Sequence, residues 1–457
     1  MSLHIVILAA GQGTRMHSVV PKVLHKLGGK AMLDHVVETA FSLKPDAIHI
    51  VIGHGSEQIK QALQDKPVNF ILQETQLGTG HAVMQALPHI PLTSQVLILS
   101  ADVPLIRLDT LQSLIECSTA TESLALLLAS IDEPHGLGRI VRNKKGQIEF
   151  IVEEKDANSE QKKIKEIYSG ICSTSAQYLM QWLPALNCNN AQGEYYLTNI
   201  IEMAVSNQVP ITSLQTTDLM EIQGVNTRAQ LQQLERIWQT RLAIKLMNQG
   251  VTLADASRID IRGELHCGMD IFIDVNTVFA GHVIIGNGCY IAPNCVLTNV
   301  TLGMNCTIHP SSVLENCVVG DNCHIGPFAR IRPGTTLATG CKVGNFVETK
   351  NAIFGTGSKA NHLSYLGDVT IGEQVNIGAG TITCNYDGVN KHQTVIEDGA
   401  FIGSGTQLVA PVTVGKLSTI GAGSTIRKNA PAGELTLSDS KQKTIYGWSR
   451  PTKCVDE

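Results

Sequence analysis

The sequence predicts two structural classes in one chain: an α/β unit first, then an all-β solenoid, with one long helix between them. Three observations predict this. From about Ile284 to Ile426, aliphatic residues return at every sixth position, as in Val319, Ile325, Ile331, Leu337 and Val343, and again in Ile396, Ile402, Leu408, Val414, Ile420 and Ile426. Before about Asn226, short apolar runs alternate with stretches of helical length. Between the two, Leu231, Leu234, Ile237, Trp238, Leu242 and Leu246 recur at three and four and stop at Gly250, the pattern of one amphipathic helix with a glycine stop. The expected divisions are 1–226, 227–250 and 251–457.

A chain of 457 residues exceeds one ordinary domain and suggests two or three. With 43% hydrophobic residues and a formal net charge of −5, it reads as a soluble globular protein with no bias toward nucleic acid. No apolar run approaches the roughly 20 residues of a membrane span. The N-terminus moves straight into a strand without a secretory pattern, so a cytoplasmic location is expected.

The first element is Ile5-Val6-Ile7-Leu8, leading into Ala9-Ala10-Gly11-Gln12-Gly13-Thr14-Arg15-Met16. A strand followed by a glycine-rich loop can cradle phosphate with backbone N–H groups. Met16 stands where a dinucleotide fingerprint needs its third glycine, and no Gly-Lys-Ser/Thr follows, so neither common nucleotide motif fits. Arg15 and Lys22, after the fixed turn at Pro21, add two cations suited to a polyphosphate. Strand-like runs at Ala47 to Ile52, Asn69 to Gln73 and Val96 to Leu99 then alternate with helices, which implies a parallel sheet with ligands at its carboxyl ends. Gly11, Gly78 and Asp102 fall at such ends. Asp102 there suits a magnesium ion, although an aspartate before a turn also serves as a cap.

In the solenoid a six-residue period fits neither a helix nor a hairpin sheet; it fits a coil that turns a corner every six residues. The register slips to five between Leu297 and Leu302 and between Leu314 and Val319, which predicts shortened corners. A larger break at Cys384 to Thr394, around Asn385-Tyr386-Asp387-Gly388, predicts an inserted loop. Six of the 12 cysteines track the coil, and no Cys-x-x-Cys occurs. They are expected to be small apolar thiols at a repeated interior position rather than zinc ligands.

Leu8-Ala9-Ala10-Gly11-x-Gly13-Thr14-Arg15-Met16 with Pro21-Lys22 resembles the signature of sugar-1-phosphate nucleotidyltransferases, whose domain is Rossmann-like, and the hexapeptide array resembles left-handed β-helix acyltransferases. Together they resemble the bacterial bifunctional N-acetylglucosamine-1-phosphate uridyltransferase/glucosamine-1-phosphate acetyltransferase family over nearly the whole length. Further blocks carry the likeness, among them Gln73-x-x-Gln76-Leu77-Gly78-Thr79-Gly80-His81, Ala191-Gln192-Gly193-Glu194-Tyr195-Tyr196 and Gly344-Asn345-Phe346-Val347-Glu348.

The resemblance implies synthesis of UDP-N-acetylglucosamine from glucosamine-1-phosphate, acetyl-CoA and UTP, a precursor for peptidoglycan and lipopolysaccharide. In the first unit it implies Arg15 and Lys22 on phosphates, with Leu8, Ala9, Ala10, Gly11, Gln73, Gly78, Thr79, Ser100, Ala101, Gly138, Glu153 and Tyr168 around nucleotide and sugar. Asp102 and Asn226 would ligate Mg2+ and also belong to the nucleotide and sugar site, Asn226 with Gly138 and Glu153 holding the sugar. In the solenoid it implies His362 as base, with Glu348 to orient or charge-tune it. Arg332, Lys350, Tyr365 and Asn376 would hold the sugar phosphate, and Ala379, Asn385, Tyr386, Ser404, Ala422 and Asp439 would meet acetyl-CoA. A homotrimer with sites between neighbouring chains is implied as well.

Three positions depart from that pattern: Ser100-Ala101 in place of an aromatic-Gly pair, Tyr168 where an Asn is common, and Asp439 in place of a cation that would meet CoA phosphate. Asp439 should weaken CoA affinity unless Lys441 or Lys443 substitutes. Two other readings are a single-activity nucleotidyltransferase whose solenoid only assembles subunits, and a scaffold that binds nucleotide sugar without turnover. Magnesium-dependent pyrophosphate release separates the last from an enzyme.

Overall fold

The computed structural model describes residues 2–438 and 441–450. Asp439 therefore lies outside the described residues. Two compact units are present, Met1–Thr240 and Arg241–Glu457. Among the described residues no helix is long and apolar enough to cross a membrane.

The spine of the first unit is a sheet in the order Ile211–Gln215, Leu124–Ser130, Glu166–Ser175, Gln95–Ser100, Leu3–Leu8, Ala47–Ile52 and Asn69–Leu72. Helices cover both faces, so Ile5, Val6 and Ile7 are all fully buried, the odd residues in one apolar cluster and Val6 in the other. A strand buried on both sides reads as a continuous apolar run rather than an alternating one. Each such aliphatic side chain contributes roughly 1.5–3 kcal/mol of transfer free energy.

The expected parallel sheet carries one antiparallel strand in its spine. Glu166–Ser175 runs antiparallel to both neighbours, Gln95–Ser100 and Leu124–Ser130. The reason is its approach: the chain reaches it through the hairpin Arg139–Arg142/Ile148–Val152 instead of a helical crossover, and only a crossover returns a strand parallel.

The helix Arg228–Asn248 starts from a reciprocal cap. Thr227 Oγ1 accepts from the Gln230 N–H at 3.2 Å, and Gln230 Oε1 accepts from the Thr227 N–H at 3.1 Å. The same Gln230 oxygen takes the Asn226 N–H at 2.8 Å, which pins Asn226 just ahead of the helix.

The second unit is a parallel β-helix. Its coils stack in two ladders, one of eleven strands and one of thirteen that bends around a corner. Ile291, Ile308 and Ile325 occupy equivalent interior places 17 residues apart, and Val343 follows at 18. The 17-residue coils explain the register slips. Strands Val296–Leu302 and Val313–Val319 run unbroken through their corners, each turned by one left-handed asparagine, Asn299 (φ 51°) and Asn316 (φ 45°). Their side chains stack, Asn299 Nδ2 donating to Asn316 Oδ1 at 3.0 Å. One coil earlier Gly281 fills the corner, where a Cβ would lie 2.0 Å from Asn299 Oδ1. The coil from Ile377 to Ile402 is 25 residues long, because the predicted loop is inserted after Cys384.

The repeat cysteines are interior, as expected, but they are more than apolar filler. Cys289, Cys306, Cys323 and Cys341 form one column, and each thiol donates to a corner carbonyl, of Gly303, Gly320, Ala338 and Gly355, at 3.0–3.2 Å. Ser358 occupies the next place and donates to Gly372 O at 2.6 Å. The column supplies a side-chain donor to one corner carbonyl per coil, and Gly355 O accepts the Ser358 N–H as well.

Candidate active sites

Strand Leu3–Leu8 has Ala47–Ile52 on one side and Gln95–Ser100 on the other, both parallel. The chain winds outward in opposite directions from this point, which opens a crevice at the strands' carboxyl ends. The Ala101 N–H donates to Leu8 O at 3.1 Å and the Val225 N–H to Asp102 O at 2.9 Å, so the loop, Asp102 and Asn226 are drawn to one place.

There, Lys22 Nζ lies 2.5 Å from Asp102 Oδ2 and 3.0 Å from Asn226 Oδ1. Two oxygen donors from residues far apart in sequence thus converge on one cation. Such an all-oxygen pair fits Mg2+, which takes carboxylate and carbonyl ligands. Gly13, with φ 61°, lets Lys22 come this close, since a Cβ there would lie 2.6 Å from Lys22 Cβ.

A cavity of about 490 Å³ opens on Lys22 and Asp102, with Asn226 outside its lining. Among its walls are the predicted Leu8 to Gly11, Lys22, Gln73, Gly78, Thr79, Ser100 and Asp102. Gln73 is buried and its amide is set by Gly78 O at 3.2 Å and His81 Nδ1 at 2.9 Å. Gly78, with φ 108°, passes so near the next segment that a Cβ would meet Tyr195 O at 2.7 Å. Thr79 Oγ1 accepts from the Leu197 N–H at 3.1 Å, and Gly80 N–H donates to Tyr195 O at 2.8 Å, closing that wall.

Gln12, Gln76 and Glu194 also line the cavity; all three lie inside motifs visible in the sequence, yet had no assigned contact. Ala101 is fully buried behind the wall and Arg15 stands exposed outside it. Gly138, Glu153 and Tyr168 form a second group. Burial raises the Glu153 carboxyl above its ordinary value, offset by the Thr198 hydroxyl, which donates at 3.1 Å. A Cβ on Gly138 would lie 3.6 Å from Glu153 Oε2. Tyr168 packs in the apolar cluster with Ile140 and Ile151, its phenol pushed well up by burial and neighboured by the Cys172 thiol. It does not line the cavity, and neither do Gly138 and Glu153.

In the solenoid, register makes the second arrangement. Asn345 pairs with His362; Lys359, Asn376, Phe401 and Thr419 pair in succession, so three residues further along each coil, past the ends of the last three strands, His362, Ala379, Ser404 and Ala422 fall in one file. Coils repeat at about 4.8 Å, so the file runs about 14 Å from the imidazole. Beyond His362 its side chains are all small. His362 is exposed, and its ring makes no hydrogen bond among the described residues.

On the adjacent face, past the corner at Leu363, three cations gather. The Lys350 ammonium is pushed down from the ordinary lysine value first by the Lys391 ammonium beside it and then by Arg332. Glu348, expected to orient His362, instead accepts from Arg332 Nη1 at 2.7 Å. It lies on the Arg332 side of the corner, in the strand beside Tyr365. Asn376 belongs to the His362 face, whereas Arg332, Lys350 and Tyr365 belong to the other.

Lys391 was missed by sequence reasoning. It sits on the inserted loop, which Asp387 braces: Oδ1 accepts from Val389 N–H and Asn390 N–H, and Oδ2 lies 2.7 Å from His392 Nε2. Asn385 is a buried rung donating to Asp368 Oδ2 at 2.5 Å, and Tyr386 projects, 61% exposed. Along the corner, Phe328 and Phe346 stack at 5.4 Å between ring centres and, with Leu363, form an exposed apolar ridge.

A cation-and-oxygen triad at a nucleotide-type crevice, with an imidazole heading a narrow file on a β-helix, defines a two-unit group-transfer enzyme. Comparison with known proteins agrees. Residues 5–162 match the MobA-like NTP transferase domain, 261–354 the GMPPB C-terminal domain and 393–428 the bacterial transferase hexapeptide (six repeats). The bifunctional protein GlmU of Legionella pneumophila (strain Lens) is 65% identical over 457 residues, covering 99% of each chain, and that of Marinobacter nauticus is 56% identical over 451 residues, again 99% of each. A solved UDP-glucose pyrophosphorylase complexed with UDP-glucose covers 53% of this chain and 100% of its own at 16% identity and a TM-score of 0.44, and nothing further rests on it.

The chain belongs to the bifunctional GlmU family. It is a transferase of UDP-N-acetylglucosamine synthesis with uridyltransferase and acetyltransferase activities.

Proposed function

We propose that the two activities divide between the two units and that named side chains carry each. In the first unit, N-acetylglucosamine-1-phosphate attacks the α-phosphorus of UTP and pyrophosphate leaves, a reaction that needs alignment and charge neutralisation more than a protein base. Lys22 and Arg15 steady the phosphates, Gln73, Gly78 and Thr79 hold the uracil side, and Gly138 and Glu153 hold the sugar. Asp102 and Asn226 hold Mg2+, which when bound neutralises phosphate charge. The observation that carries this reading is the convergence of Asp102 and Asn226 oxygens on the Lys22 ammonium. Tyr168, closed inside the core, narrows the sugar end instead of contacting a hydroxyl.

In the solenoid, His362 takes a proton from the ammonium of glucosamine-1-phosphate. The freed amine attacks the acetyl-CoA carbonyl and the CoA thiolate leaves. Arg332, Lys350 and Lys391 suit the phosphate dianion, with Tyr365 beside them, and the file Ala379, Ser404, Ala422 leaves room for the pantetheine arm, with Tyr386 at its side. His362 and Asn376 stand on one face and the cations on the next, and the Phe328/Phe346/Leu363 ridge is apolar and exposed. Both features support a homotrimer in which neighbouring chains complete each site. The helix Arg228–Asn248 serves as connector between 1–226 and 251–457, and the protein works in the cytoplasm.

The experiment is a split assay on one purified sample: thiol release from acetyl-CoA with glucosamine-1-phosphate, and Mg2+-dependent pyrophosphate release from UTP with N-acetylglucosamine-1-phosphate. Asp102→Ala should silence only the second and His362→Ala only the first. Loss of both activities in either folded variant overturns the division. Sedimentation equilibrium should give three chains per particle.

A further inference from the structure

We infer that Glu264, His266 and His282 form a surface site for a divalent transition-metal ion of the zinc class, separate from both transfer sites. Strands Ile259–Cys267 and Thr277–Ile285 pair in parallel over nine residues, with Glu264 directly opposite His282. His266, two places along, projects from the same face of the sheet as Glu264. One ligand atom from each of the three lies within 4.8 Å of the others, and among the described residues no other group of three His, Cys, Asp or Glu side chains meets that condition.

The spacing decides between a salt-bridge cluster and a site. Glu264 Oε2 is 3.3 Å from His282 Nδ1 and 3.7 Å from His266 Nε2. Ligands held tetrahedrally at 2.0–2.2 Å are about 3.4 Å apart, close to both Glu264 spacings, and the two imidazole ligand atoms lie within 4.8 Å of each other, so a small cation fits once these exposed side chains turn toward it. The charge pattern fits as well. Arg262 is engaged by Asp260, and among the described residues Glu264 pairs with the two imidazoles alone. Two imidazoles and one carboxylate select Zn2+, Co2+ or Ni2+ over Mg2+, which prefers oxygen. All three side chains are exposed, so a fourth position faces water. Their backbones belong to a rigid ladder, which leaves little ordering cost for binding.

The probe is Co2+ titrated into tag-free, full-length protein in excess Mg2+, read by visible d–d absorption, with Zn2+ calorimetry alongside. One Co2+ per chain with strong tetrahedral-type bands is expected at micromolar metal. His266→Gln, His282→Gln and Glu264→Gln should each weaken binding roughly tenfold or more while both transfer rates stay at the wild-type level. The proposal is overturned if the wild type shows no such bands, if Mg2+ competes equally, or if the double variant H266Q/H282Q binds Co2+ as the wild type does.

Discussion

The Lys22 ammonium stands 2.5 Å from Asp102 Oδ2, with 13% of one side chain and 20% of the other exposed. This lysine lies where the carboxylate and the Asn226 oxygen point, so on the proposed assignment of Mg2+ to those oxygens, lysine and metal would compete for them before nucleotide arrives. Lys22→Met is expected to bind Mn2+ several-fold more tightly in the absence of UTP, read by electron paramagnetic resonance. It should also lose about 10²-fold or more in uridyl transfer, because a phosphate-directed charge is gone. Unchanged Mn2+ affinity would remove the competition from the account.

His362→Ala should lower acetyl transfer by about 10²–10⁴-fold, the usual contribution of a general base, and leave uridyl transfer within twofold. The side chain is exposed, so circular dichroism and melting should not change.

Lys391→Ala should raise the KM for glucosamine-1-phosphate by about tenfold with a smaller effect on kcat, since one of three clustered cations is lost. Because Lys391 and Arg332 depress the Lys350 ammonium, that KM should begin to climb with pH below the ordinary lysine range in the wild type. In Lys391→Ala the climb should start at higher pH. Superimposable pH profiles would contradict the cluster.

His4 and His49 stack in the first unit, Nδ1 to Nε2 at 3.0 Å, and His49 is 1% exposed. Burial, then the neighbouring His4 and His89, lowers His49 to about 4. Its folded value lies below the unfolded 6.5, so the unfolded chain binds the proton first. The stability this contributes is present above pH 6.5 and is lost as pH falls toward 4, on the order of 3 kcal/mol across that window. Protection factors in Ala47–Ile52, taken against the intrinsic exchange rate at each pH, should fall between pH 7 and 5, and His49→Gln should flatten that dependence.

Cys306→Ser should cost less than about 1 kcal/mol, because Ser358 already makes the same bond in the same column. Cys306→Val should cost about 1–3 kcal/mol by stranding Gly320 O. Chemical denaturation of the two variants compares them directly.

The parts legible in the sequence are those where one local rule decides the outcome. The six-residue period has a single structural solution, and the slips to five announced the corners that Asn299 and Asn316 turn. The Leu8 to Arg15 loop, Lys22 and Asp102 could be read because strand ends and glycines mark themselves. What stayed hidden depends on register or on contacts distant in sequence. A lysine in a polar loop has no period, so Lys391 was silent until the loop was seen to reach Lys350. Glu348 lies near His362 in motif but across a corner in space. The reversed strand Glu166–Ser175 follows from a hairpin connection that composition does not declare.

The file from His362 through Ala379 and Ser404 to Ala422 turns the solenoid into a measuring rod. Its graduations are coils, each the same rise, and the zero mark is the imidazole. Removing one whole coil beyond Ser404 would leave the cross-section closed yet shorten the scale by one graduation, so acyl donors truncated in the arm should regain ground against full-length ones. On the proposed placement of the pantetheine arm along this file, ligand length is written in the number of repeats, a quantity that insertion and deletion can change without redesigning any single contact.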